Sequence, residues 1–313
     1  MVEEVRSARR VLFVTAATSF VTVLALVLLS RMRVEYSSFV QLLVWNGALL
    51  LISAYCSWRG MIGLRHLLEA ITLGFLLTIL VSISTYIAAL PALPLVDEHL
   101  ARLDRSLGFD WNSFVLEVDS RSWLAHILGL AYQSFAIQLL MLPLLLAGLK
   151  QVARAYRFVT AYALIGLSAS LISVWFPAVG AFHFYNVAQG DLDNINVFFG
   201  YFFLDQFEAV RTDPQFVFSM QDLAGIVTFP SVHAAVAALC AWAAWSVRYL
   251  RYPVLLINVG MATSAITHGS HYLVDVPAGM LLAFASISLT IRFSSRPRQK
   301  ADLFAVGSTG ESV

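Results

Sequence analysis

The stretch Tyr272–Arg292 reads YLVDVPAGMLLAFASISLTIR, with Asp275 near its start, Arg292 at its end and no charge between them. A helix needs roughly 20 apolar residues to cross about 30 Å of hydrocarbon, so this segment reads as a membrane span. The carboxylate in its first turn is the informative residue, because an ionisable group at the mouth of a span is costly unless paired. Working back along the chain, comparable runs fall at 253–267, 232–247, 158–176, 123–147, 67–90, 38–57 and 11–30. The sequence predicts an all-α polytopic membrane bundle of about eight spans, the sixth and seventh short.

Composition agrees. Of 313 residues, 59% are hydrophobic and 12% charged, and mean hydropathy is +0.76; a soluble domain carries about 25% charged residues. The net charge of +1 leaves no field that would recruit nucleic acid. Cys56 and Cys240 lie in separate apolar runs and read as packing residues, not as a disulfide or metal pair. Arg6, Arg9 and Arg10 precede a first run that ends at Ser30-Arg31-Met32-Arg33 without a small-residue cleavage site, so it reads as a retained anchor.

With eight spans both termini share a side, and that side carries 14 of the 20 basic residues. The positive-inside rule makes it cytoplasmic. The 91–122 loop, the 177–231 loop and the 268–271 turn then face outward. In the first loop Leu100, Leu103 and Leu107 recur at helical spacing among Asp97, Arg102, Asp104 and Arg105, which suits a short interfacial helix. The second is aromatic from Val197 to Phe203, which suits contact with lipid headgroups.

Two stretches place imidazoles at the outer mouths of adjacent spans: Thr228-Phe229-Pro230-Ser231-Val232-His233 and Gly269-Ser270-His271-Tyr272-Leu273-Val274-Asp275. His271 and Asp275 are four apart, so on a helix they share a face. A carboxylate that accepts from one ring nitrogen fixes the tautomer and frees the other for attack. Pro230 suits a first helical turn, whose free N–H groups, with the Ser231 hydroxyl, would cradle phosphate. His233 can protonate a departing oxygen, help worth about 10²–10⁴ in rate. Together they fit phosphoryl transfer, with His271 as nucleophile, Asp275 orienting it and His233 as acid. His233, His271 and Asp275 are also of zinc-ligand type, but the metal-free reading accounts for Pro230 and Ser231 as well, so no cofactor is expected.

At these residues the sequence resembles the type 2 phosphatidic acid phosphatase superfamily. The second motif of that superfamily, Pro-Ser-Gly-His, is met by Pro230, Ser231 and His233, with Val232 in the Gly position. The third, Ser-Arg, five residues, His, three residues, Asp, is met by Ser264, His271 and Asp275, with Ala265 in the Arg position. The first, Lys, six residues, Arg-Pro, has no counterpart, the only lysines being Lys150 and Lys300. The forms Phe229-Pro230-Ser231-Val232-His233 and His271-Tyr272-Leu273-Val274-Asp275 are similar to the branch of inositol phosphorylceramide synthase and the sphingolipid phosphotransferases. Leu103–Trp111, Tyr132-Gln133-Ser134 and Phe176-Pro177 resemble bacterial members of that branch.

The resemblance covers about 91–292. It implies a six-helix core over 67–293, a two-span extension over 1–66 and a polar tail over 294–313. It further implies a lipid phosphatase or phosphotransferase with a phospholipid or lipid-phosphate substrate at the outer membrane face. The missing Lys and Arg favour a phosphate of smaller charge, such as a diester. Ser231, His268 and Arg105 are the expected phosphate-binding residues, with Arg102, Arg121 and Arg211 as other sources of positive charge. For His268 a turn residue bonded to backbone is the competing reading. The alternative from another class is a non-enzymatic carrier of a phosphorylated lipid.

Overall fold

The computed structural model describes residues 2–30, 32–188, 190–221 and 223–295. Arg296, Arg298 and Lys300, with nearly all of the expected polar tail, lie outside the described residues. Of the described residues 74% are helical, an all-α membrane bundle. Six helices among the described residues are long and apolar enough to span: α1 (Val2–Leu29), α2 (Val40–Trp58, entered through a 3₁₀ turn at Tyr36–Phe39), α3 (Ile62–Ala89), α6 (Ser122–Gly148), α7 (Val152–Ser173) and α13 (Asp275–Ser294). Between the last two come α11 (Val232–Ala244) and α12 (Arg251–Thr267), of 13 and 17 residues. At 1.5 Å per residue α11 is about 20 Å long, too short to cross alone.

The shorter elements sit at one end. They are α4 (Asp97–Ser106), α5 (Trp111–Asp119), α8 (Ala181–Phe184), α9 (Phe198–Tyr201) and α10 (Leu204–Thr212). One parallel pair, β1 (Arg33–Val34) with β2 (Val217–Phe218), ties the α1–α2 connection to the second long loop. The anticipated interfacial helix forms as α4, but it buries Asp97, Leu100, Ala101 and Asp104 and leaves Leu103 and Leu107 exposed.

In the bundle centre α7 packs against α3, α11, α13 and α1. The buried residues of α11 include Ala234, Ala235, Ala237, Ala243 and Ala244, small side chains that let helix backbones approach where lipid supplies no hydrophobic drive. The N-terminal arginines lie on α1 itself, which begins at Val2. At the end of the bundle opposite the loops, Arg9 forms a two-pronged ion pair with buried Glu69, both contacts 2.7 Å. The Tyr156 hydroxyl donates to the same carboxylate at 2.5 Å, and Arg157 reaches Glu4 at 2.8 Å. Charge-assisted pairs of this kind lock α1 onto α3 and α7. By contrast, α2 packs chiefly on α3.

Candidate functional site

His233 is the second residue of α11. Ser231 caps that helix from an extended backbone, its Oγ accepting from the Ala234 N–H at 3.3 Å, as N-cap hydroxyls do. The N–H groups of Val232 and His233 have no partner among the described residues, so they remain as donors at the positive helix end. The Ser231 N–H donates to the Asp275 carbonyl at 3.2 Å, bringing the starts of α11 and α13 together. This approach requires Gly279, where a Cβ would lie 2.1 Å from the Ser231 carbonyl oxygen. The His233 ring stacks on Tyr132 of α6 at 4.2 Å and meets Phe135 at 4.4 Å.

His271 does not lie on a helix. It belongs to the 268–274 turn between α12 and α13, and Asp275, the first residue of α13, reaches back to it. Asp275 Oδ2 lies 3.0 Å from His271 Nδ1 and accepts the Tyr272 N–H at 3.0 Å. The expected contact between the two residues therefore forms, through a helix-start carboxylate turned back on its own turn instead of along a helix face. The rings of His271 and His233 lie 6.4 Å apart. His271 is buried, and burial pushes its imidazole down, to about 4, with a hydrogen bond to the Thr228 backbone pulling the other way. A neutral ring is the form with a lone pair to offer.

Both long loops grip this turn. Asp104, fully buried on α4, accepts the Leu273 N–H at 2.8 Å and the Val274 N–H at 3.0 Å. Burial lifts its carboxyl above the usual range, while those two N–H groups favour its charged form. Trp111, opening α5, donates from Nε1 to the His271 carbonyl at 3.0 Å. Asp97 accepts from the Tyr272 hydroxyl at 2.9 Å and from the Val179 and Gly180 N–H groups at 3.1 and 2.9 Å. From the second loop the Ala181 and Phe182 N–H groups donate to the Ser270 carbonyl and hydroxyl at 2.7 and 2.8 Å. Ser270 sits at φ +61°, a left-handed conformation that surrounding bonds must hold in place. Gly180, at φ +98°, allows the approach, since a Cβ there would meet the Ser270 oxygens at under 3 Å. Asp119 joins the two loops, accepting from the Asp193, Asn194 and Ile195 N–H groups at 2.8–2.9 Å.

The sequence profile of the PAP2 superfamily matches residues 98–289, from α4 to α13. The chain belongs to the PAP2 superfamily. No curated protein and no solved structure matches it. The superfamily comprises phosphatases and phosphotransferases, and with its apolar helices this PAP2 member is an integral membrane protein of lipid-phosphatase type. The matched segment takes in both imidazoles, Asp275, Asp104 and Trp111, and leaves α1–α3 outside.

The three residues expected to bind phosphate fall in different places around the candidate site. Ser231 lies at its centre, beside the free α11 N–H groups. His268 is separated from His233 by Tyr132, which stacks on both rings, at 6.4 Å on the His268 side. His268 Nδ1 lies 2.9 Å from the Thr267 hydroxyl and its ring is hydrogen bonded to the Ala125 backbone. Arg105 is exposed at the end of α4, next to Asp104, and interacts with the Tyr185 hydroxyl. Tyr185 in turn stacks on Trp111 at 5.1 Å. Of the other outer cations, Arg102 pairs with Glu98 and Arg121 with Glu117, while Arg211 donates to the Leu93 carbonyl. Among the described residues no group of three His, Cys, Asp or Glu side chains is arranged to hold a metal ion.

Sequence reasoning missed Asp97, Asp104, Trp111 and Tyr132 as parts of the site. The available signal was the spacing Asp97, Leu100, Ala101, Asp104, one helical stripe with a carboxylate at each end.

Proposed function

We propose that this protein transfers a phosphoryl group from a lipid through phosphohistidine, as a phosphatase or phosphotransferase of the branch resembling inositol phosphorylceramide synthase. The observation that carries the reading is the pair of rings 6.4 Å apart, one backed by a carboxylate. Near attack needs the nucleophile about 3–3.5 Å from phosphorus, and proton donation needs about 3 Å to the leaving oxygen. Rings whose centres are at that separation can face one phosphoryl group from two sides.

Asp275 holds His271 by Nδ1–H, and Nε2 attacks phosphorus. As the N–P bond forms, the P–O bond to the leaving alcohol breaks and His233 gives its proton to that oxygen. Water or a second alcohol then passes a proton to His233 and attacks phosphorus, freeing His271. The Val232 and His233 N–H groups and the Ser231 hydroxyl stabilise the equatorial oxygens. Arg105 supplies positive charge from the rim, and His268 helps to hold Tyr132. With Ala265 in the place of the superfamily's Arg, a diester carries less charge to neutralise than a monoester and is the preferred substrate class. The excess of basic residues at the other end supports cytoplasmic termini and an outward site.

Purified His271→Gln and Asp275→Asn proteins, assayed on a panel of lipid phosphomonoesters and diesters, test this reading. Turnover is expected to fall by roughly 10³-fold or more, and vanadate is expected to inhibit the parent protein. Turnover near the parent's in either variant contradicts the reading.

A further inference from the structure

At the same end of the bundle a separate cavity of about 580 Å³ opens between α1, α3 and α10, within the size range of small-molecule sites. Its walls are apolar, with Leu26, Leu29, Ile87, Leu90 and Phe216 prominent. Arg211, in the last turn of α10, is the cation in that wall. Its Nη2 donates to the Leu93 carbonyl at 2.8 Å and its guanidinium lies over the Phe207 ring at 4.9 Å. Its Nη1 is buried with no hydrogen-bond partner among the described residues. Asp213 shares the wall, but it accepts the Gln215 N–H at 2.8 Å and makes no ion pair with Arg211 among the described residues. A guanidinium cannot shed its proton, and Arg211, partly buried, is a charge that an anionic partner would stabilise.

We infer that this cavity binds an anionic lipid, its headgroup drawing the Arg211 guanidinium, with its unpartnered Nη1, toward the cavity and its chain against the apolar ends of α1 and α3. The free donor calls for an anionic oxygen, and the walls call for hydrocarbon. Leu28 and Leu29 beside the mouth are largely exposed, which leaves the cavity open to the bilayer. Much of the wall comes from α1 and α3, outside the segment that matches the PAP2 superfamily. The site is thus separate from the catalytic turn and does not rest on the phosphohistidine reading.

The test is native mass spectrometry of the detergent-solubilised full chain titrated with dioleoyl phosphatidic acid, with dioleoyl phosphatidylcholine and inorganic phosphate as parallel arms. The His271→Gln protein serves as the parent, so that no lipid is consumed. Phosphatidic acid is expected to bind in preference to phosphatidylcholine, and Arg211→Gln is expected to weaken one bound lipid at least about tenfold without touching a second held at the Ser231 cradle. Ile87→Trp, which fills the cavity and leaves the charge, is expected to weaken the same lipid as well. Equal affinity in Arg211→Gln or in Ile87→Trp overturns the inference, as does displacement of the lipid by an equal concentration of inorganic phosphate.

Discussion

Asp104→Asn keeps the shape of the side chain and removes one of the two oxygens that hold the 268–274 turn. The carboxylate accepts the Leu273 and Val274 N–H groups at 2.8 and 3.0 Å. An amide has one acceptor and turns an NH₂ toward the second donor, so one buried N–H loses its partner. Leaving a buried donor unpaired costs about 1–3 kcal/mol, and each 1.4 kcal/mol is about a tenfold change in an equilibrium. Local opening of the turn should therefore increase roughly 10- to 100-fold. Hydrogen exchange of the Leu273 and Val274 amides in nanodiscs measures this directly, with Ala161 and Ile165 in buried α7 as internal references. Turnover should fall as well, because displacing a nucleophile by about 1 Å costs on the order of 10²-fold. Exchange of both amides at the parent rate would refute the reasoning, whatever happened to activity.

Gly279→Ala places a methyl 2.1 Å from the Ser231 carbonyl oxygen and forces α13 away from α11; thermal unfolding should show a loss of about 1–3 kcal/mol, with turnover lost alongside. Trp111→Phe removes the Nε1 donor to the His271 carbonyl while keeping the packing, so kcat should fall with only a small change in Tm. Burial holds His271 and His268 at about 4 against an ordinary 6.5, so the unfolded chain takes up these protons first as pH falls. Stability should accordingly be full above about pH 6.5 and decline toward pH 4, and His271→Gln should flatten that decline in a Tm-against-pH series. A Tm independent of pH across that window counts against the buried, neutral imidazoles.

The spans were legible because hydrocarbon imposes a length and a composition that the sequence cannot disguise. The pairing of His271 with Asp275 was legible from spacing alone, although the turn that makes it was not. Spacing four apart fits a helix face, and only the position of the α13 start reveals that Asp275 points backward. The clamp was hidden for a different reason. Asp104 acts on backbone N–H groups 169 and 170 residues away, and backbone donors leave no mark in a sequence. Its neighbours Arg102 and Arg105 made the stretch read as an interfacial helix with its leucines buried, whereas Asp97 and Asp104 are buried and Leu103 and Leu107 are exposed. Arg9 counted only as one more basic residue of the N-terminal side, whereas its two-pronged contact with Glu69 ties α1 to α3.

The most direct test of phosphoryl transfer is to quench the purified protein in alkali during turnover of a ³²P-labelled lipid phosphate ester and to map the label by tandem mass spectrometry. Phosphohistidine is expected on the peptide containing His271, accumulating when His233→Gln slows its release. Label absent from His271 during active turnover, or carried on His233 or Ser231 in its place, would contradict the account.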